Sequence, residues 1–138
     1  PYVSVEDAMQ ARQKKSALSD EAARLLCERS LEHTGDYYQW RTDPRLNWRS
    51  PQFQGDTQAL DLLSAIRSPT LVMTSPAALE YLGEEMMRKR LSAIGDCTHV
   101  ANDGHHHFHM EQAECTGACI AEFLLQTKHS QGANHDDS

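Results

Sequence analysis

No stretch of this 138-residue sequence approaches the roughly 18 apolar residues of a membrane span, and no basic-then-apolar leader opens it. Positive charge is also in deficit. Lys and Arg number 13 against 20 Asp and Glu, a formal net charge of −7, which argues against nucleic-acid backbones and anionic membranes as general partners. Cysteine is sparse: the four at 27, 97, 115 and 119 lack the dense spacing of a secreted disulfide framework, and no pairing has zinc-finger spacing. Cys27 and Cys119 fall inside helix-like patterns. The simplest expectation is therefore small buried thiols in a reducing, cytoplasmic compartment. Methionine is missing from the start, where Pro1 stands, so the chain is either processed or a piece of something longer. Its length and its hydrophobic share of 39% leave room for one domain with a modest core.

What the sequence does have is the segment Asp103-Gly104-His105-His106-His107-Phe108-His109-Met110-Glu111, with four histidines in five positions. Histidine changes charge nearest neutrality, so such a cluster suggests proton transfer or metal binding. The segment follows a strand-like stretch and precedes an amphipathic helix. Loops at the carboxyl ends of strands are where α/β folds collect ligands and catalytic groups.

The punctuation along the chain sorts it into parts. Ser4-Val5-Glu6-Asp7 resembles a capping signal and predicts a short polar helix from Asp7 to Lys15. Ser19-Asp20-Glu21 opens a second helix with Gly35 as its stop. Tyr37 to Pro51 holds both tryptophans and two prolines, and reads as an irregular connector that buries its rings. Arg41 and Arg45 with Asp43 read as a local ion-pair network. A third helix is predicted from Asp56 to Arg67, where Pro69 ends the pattern. Thr70-Leu71-Val72-Met73-Thr74 has the continuous apolar character of a parallel strand buried on both faces. Ser75-Pro76 begins a fourth helix, Cys97 to Ala101 is a second strand, and Glu111 to about Lys128 is the last helix. The polar tail from 129 to 138 is predicted to be disordered.

Strand–helix–strand–helix with roughly 20 residues between the strands suits a right-handed parallel crossover. Two parallel strands do not make a viable sheet alone, so the pattern suggests a chain missing its other half. Exposed apolar surface on the layer of strand 70–74 is expected to follow.

Three stretches carry a resemblance to a known family. Pro69 to Thr74 after an amphipathic helix resembles the seventh strand of the α/β-hydrolases. Gly104 to Glu111 resembles the loop bearing their catalytic histidine, and Ile120-Ala121-Glu122-Phe123-Leu124 resembles the end of their closing helix. Upstream, Pro1 to Ser4 with its helix and Trp40 to Leu46 look like a helical cap and its return to the core. The chain as a whole is similar to the C-terminal half of an α/β-hydrolase, most closely to the serine-hydrolase-like proteins of that superfamily. The resemblance implies an α/β fold with a helical cap portion over 1–52 and the C-terminal part of a parallel-sheet core over 53–128.

In such enzymes a serine on a sharp turn attacks an acyl carbonyl, a histidine takes its proton and an acid orients the imidazole. Taking Glu111 as the glutamate that opens the last helix puts the catalytic base at His106, with His105 as the alternate. The resemblance implies no cofactor and no metal, a small acyl or ester substrate, and the N-terminal half of the same fold as partner. Tyr37, Tyr38, Trp40 and Trp48 become candidates for roofing a substrate pocket, against the simpler reading as apolar glue. Two departures stand out. No Gly-x-Ser-x-Gly occurs, so the nucleophile lies before Pro1 or does not exist. The acid expected just after the seventh strand is replaced by Ser75-Pro76-Ala77-Ala78, leaving a helical Glu80 or Glu84, an acid from the missing half, or a lost acid.

Two other classes compete. His105, His107 and His109 with Cys97, Cys115 and Cys119 offer the donors of a metal-binding module, although adjacent histidines point apart. A non-catalytic interaction protein with a degenerate hydrolase fold is the other.

Overall fold

The computed structural model describes residues 1–48 and 55–132, with side chains described as far as residue 128. They fall into two compact units, Pro1–Phe53 and Gln54–Ser138. The expected boundary at 52/53 lies outside the described residues.

In the first unit, helix α1 runs from Val5 to Gln13 because Ser4 in extended backbone accepts the Asp7 N–H on its Oγ at 3.1 Å. It starts two residues earlier than the predicted Asp7. Ser19 caps α2 (Asp20–Ser30) in the same way, through the Ala22 N–H at 3.2 Å. Small residues let the two helices approach: Ala8, Ala22, Ala23 and Cys27 are buried, with Met9, Leu18 and Leu31 closing the core. Each fully buried Leu or Met contributes about 1.5–3 kcal/mol.

The chain beyond α2 departs from the expected helix stop and irregular connector. Leu31 turns extended (φ −90°, ψ 150°), and β1 (Leu31–His33) pairs antiparallel with β2 (Tyr38–Trp40). Gly35 sits in the connecting turn at φ 70°, a conformation that costs glycine little, so it serves a hairpin and not a helix end. A bridge from Tyr2 to Tyr38 ties the chain start to the hairpin. The rings are not all buried as expected. Tyr38 and Trp40 are half-buried, but Tyr37 is exposed and Trp48 is 74% exposed. A 3-10 turn, Pro44–Asn47, lies between, with Asp43 accepting the Arg45 N–H at 2.8 Å and pairing with its guanidinium. Those bonds hold the Asp43 carboxyl below the usual carboxylate range. Arg41 stands apart from this pair, and its backbone N–H reaches Ser30 O at 2.9 Å.

The second unit contains α3 (Asp56–Ser64), β3 (Thr70–Thr74), α4 (Pro76–Leu82), α5 (Glu84–Ala93), β4 (Cys97–Ala101), α6 (Phe108–Glu111) and α7 (Ala113–Gly132). β3 and β4 pair in parallel, from Thr70 opposite Cys97 to Thr74 opposite Ala101. Both strands agree residue for residue with the sequence reading. The burial expected of β3 is not found: Leu71, Val72 and Met73 are all only half-buried. Among the described residues β4 is its one strand neighbour, and a parallel strand is covered on both faces only within a larger layered sheet.

Three helices differ from expectation. α3 stops at Ser64, short of Arg67. The fourth helix is two, because Gly83 at φ 75°, ψ 152° takes a conformation nearly reserved for glycine; its N–H still bonds Leu79 O at 2.7 Å. The closing helix starts at Phe108 and is interrupted at Gln112. α7 then stays helical to Gly132, past the point where the disordered tail was expected to begin, and residues 133–138 lie outside the described residues. Its apolar residues are not a covered stripe either, since Ile120 and Leu124 are exposed. The buried apolar core of this unit comprises Met87 and Ile94 among the described residues.

Candidate functional site

The histidine segment leaves the carboxyl end of β4 and enters α6 within a few residues. What shapes it is not the imidazoles. At the end of the strand pair, Thr74 O accepts the Asn102 N–H at 2.8 Å and, more weakly, Asn102 Nδ2 at 3.4 Å. Thr74 Oγ1 and His99 Nε2 share a hydrogen bond of 2.9 Å, and Thr74 and Ser75 are both buried. The loop is thus fastened to β3, 28 residues away in sequence, before its first histidine.

Gly104 then allows a close approach. A Cβ there would lie 2.5 Å from Phe108 Cβ and 3.3 Å from Phe108 Cα, distances no side chain can relieve by rotating. The Phe108 N–H bonds His105 O at 3.0 Å, the Met110 N–H bonds His107 O at 2.9 Å and the Gln112 N–H bonds Phe108 O at 2.7 Å. His105 and His106 are exposed and His107 is half-buried at the start of α6. His109 belongs to that helix and not to the loop, a correction to the sequence reading. The rings of His106 and His107 meet edge to face at 4.9 Å, and those of His107 and His109 at 6.0 Å.

The expected acid does not meet the expected base. Glu80 in α4 and Glu84 at the start of α5 are exposed, and no ion pair among the described residues joins either to His106. The structure brings the histidines together, and among the described residues it adds no carboxylate partner to His106. Nor does any group of three or more His, Cys, Asp or Glu among the described residues form an arrangement that could hold a metal ion. The thiols are scattered in environment: Cys27 is fully buried, Cys97 and Cys119 half-buried, and Cys115 exposed, so the expected burial holds for Cys27 alone. Burial pushes the Cys27 thiol pKa up, opposed in smaller measure by the Arg12 cation.

In the first unit the candidate pocket residues separate. Trp40 Nε1 donates to Tyr2 Oη at 3.2 Å, with the two rings edge to face at 6.3 Å and 88°. It lines a cleft of about 610 Å³ that Tyr37, Tyr38 and Trp48 do not line. Sequence reasoning named the histidines but missed Thr74, His99, Asn102 and Gly104, the groups that hold their loop. Asn102-Asp103-Gly104 is a turn signal in the sequence, but the bond to Thr74 has none.

Comparison with known proteins agrees with the geometry. The chain is 30% identical over 122 residues to a serine hydrolase-like protein of Dictyostelium discoideum, an alignment covering 80% of this chain and 34% of that one. Among solved structures it is similar to a hypothetical protein of Pseudomonas aeruginosa PAO1, with a TM-score of 0.73 and 29% identity, over 90% of this chain and 45% of that one. A thioesterase domain from the curacin biosynthetic pathway shares the fold, with a TM-score of 0.70 at 20% identity, over 86% of this chain and 43% of that domain. No family model matches the sequence. The chain has an α/β fold and is an α/β-hydrolase-related protein. It spans about a third of the curated relative and less than half of each solved chain.

Proposed function

We propose that this chain is the C-terminal portion of a serine hydrolase acting on an ester or similar acyl bond, with His106 as the general base. The observation that carries this reading is a half-covered parallel strand pair whose carboxyl end opens into a fastened loop presenting an exposed histidine. The rest of the sheet comes from the N-terminal half of the same fold, which also brings the serine. His106 takes the proton from the serine hydroxyl as it attacks the acyl carbonyl, then returns it to the leaving group. Glu80, Glu84 or a carboxylate of the N-terminal half orients the imidazole. Tyr37, Tyr38 and Trp48 supply the cap's contribution to substrate binding, apart from the cleft that Trp40 lines. No cofactor takes part. A cytoplasmic location fits the four free thiols, and no described helix is long and apolar enough to cross a membrane.

The lack of an ion pair to His106 among the described residues leaves room for one second reading, a hydrolase fold retained for binding after the acid was lost. One experiment separates them. The 138-residue chain alone is expected not to turn over p-nitrophenyl butyrate. The parent protein is expected to do so, and His106→Ala is expected to lower its kcat on the order of a hundred- to ten-thousandfold, as for the loss of a general base. A parent whose kcat is unchanged by His106→Ala sinks the assignment, and an inert parent supports the binding reading.

A further inference from the structure

The cleft of the first unit carries a feature that the hydrolase reading does not use. It measures about 610 Å³, a volume typical of small-molecule sites, and its described lining residues all belong to this unit. Arg12 in the last turn of α1 and Lys15 just past its end bring two cations to its wall, while Leu26, Trp40 and Pro44 bring apolar surface. Arg12 forms no ion pair with a described residue, and its Nε is buried without a hydrogen-bond partner. A buried cationic donor left unpaired is costly, because it has lost water without gaining an acceptor. Trp40 is fixed in the lining by its hydrogen bond to Tyr2 and by the strand pairing of β2.

We propose that this cleft binds a small carboxylate with an apolar tail. The carboxylate takes the guanidinium of Arg12, whose planar fork matches two oxygens, with Lys15 adding a second positive charge. The tail lies along Leu26 and Trp40. A bare inorganic anion would satisfy the cations but leave that apolar wall wet. The residues it uses all lie in the first unit, so it stands whether or not the histidine loop is catalytic.

The test is a fluorescence titration of the full 138-residue chain carrying Trp48→Phe, which leaves Trp40 as the single indole. Octanoate is expected to bind saturably, with 1-octanol and inorganic phosphate at least about tenfold weaker. Arg12→Gln is expected to weaken octanoate by about tenfold or more, the usual scale for losing a charge-assisted hydrogen bond. Octanol binding as tightly as octanoate would reduce the site to a grease patch and overturn the proposal. Phosphate competing as well as octanoate, or unchanged affinity in Arg12→Gln, would overturn it too. Should circular dichroism find Arg12→Gln unfolded, Lys15→Gln on an exposed side chain decides: a loss of about threefold supports the site, and none overturns it.

Discussion

Replacing Gly104 by alanine probes the histidine loop without touching a histidine. The added Cβ would meet Phe108 Cβ at 2.5 Å and Phe108 Cα at 3.3 Å. The first distance is about 1.0–1.5 Å inside the contact that two carbons prefer, at roughly 3.5–4.0 Å. Neither Phe108 atom can rotate away, because both are fixed by the backbone at the start of α6. Relief must come from moving Gly104 or Phe108 bodily, and overpacking of this kind costs about 1–3 kcal/mol. Gly104 is not at positive φ, so conformational strain adds nothing to that figure. The amides that report the motion are Phe108, bonded to His105 O, and Gln112, bonded to Phe108 O. If the loop opens locally, their hydrogen exchange should accelerate about five- to 150-fold, the same energy expressed as a ratio of populations. Gly95→Ala, where nothing lies within 4 Å, is the control and should leave both amides unchanged. Gly104→Ala with wild-type exchange at Phe108 and Gln112 would refute the reasoning that close approach shapes this loop.

Two further outcomes are expected. Gly83→Ala meets no steric neighbour but must hold φ 75°, ψ 152°, so it should cost about 1–3 kcal/mol and speed exchange of the Met87 amide, which bonds Gly83 O; an unchanged Met87 amide counts against the strain argument. At pH 8 iodoacetamide should label exposed Cys115 well before Cys27, whose burial raises its pKa above the ordinary 9.0 and keeps it a thiol; equal labelling rates, read by mass spectrometry, would contradict this. The sign follows from linkage. A raised thiol pKa favours the protonated folded form, so its contribution to stability is intact below the ordinary value of 9.0 and lost as pH rises through the folded value.

How much of this was legible in the sequence differs by element, for physical reasons. Thr70–Thr74 was readable because Pro69 and Pro76 bound a continuous apolar run, while Cys97–Ala101, between Gly95 and Gly104, gives a weaker signal because Thr98 and His99 interrupt it. The hairpin of Leu31–His33 and Tyr38–Trp40 was not, since three-residue strands are too short to show a period of two. Gly83 sits inside an otherwise helical pattern, and only its φ reveals the break. The half-exposure of Leu71, Val72 and Met73 was harder still, because an apolar run asks for cover without saying which chain segment supplies it. At the site, the histidines announce themselves by type. Thr74 and Asn102 do not, because their bond crosses 28 residues and neither residue type is unusual in a loop or at a strand end.

The fastening of the loop has a practical consequence. Its shape depends on Asn102 against Thr74, on the bare Cα of Gly104 against Phe108, and on backbone carbonyls, two of them from His105 and His107. The exposed imidazoles of His105 and His106 hang from this frame without supporting it. Exchanging His105 or His106 therefore leaves these bonds in place, so a His106→Ala variant keeps the frame in which the proposed base is tested.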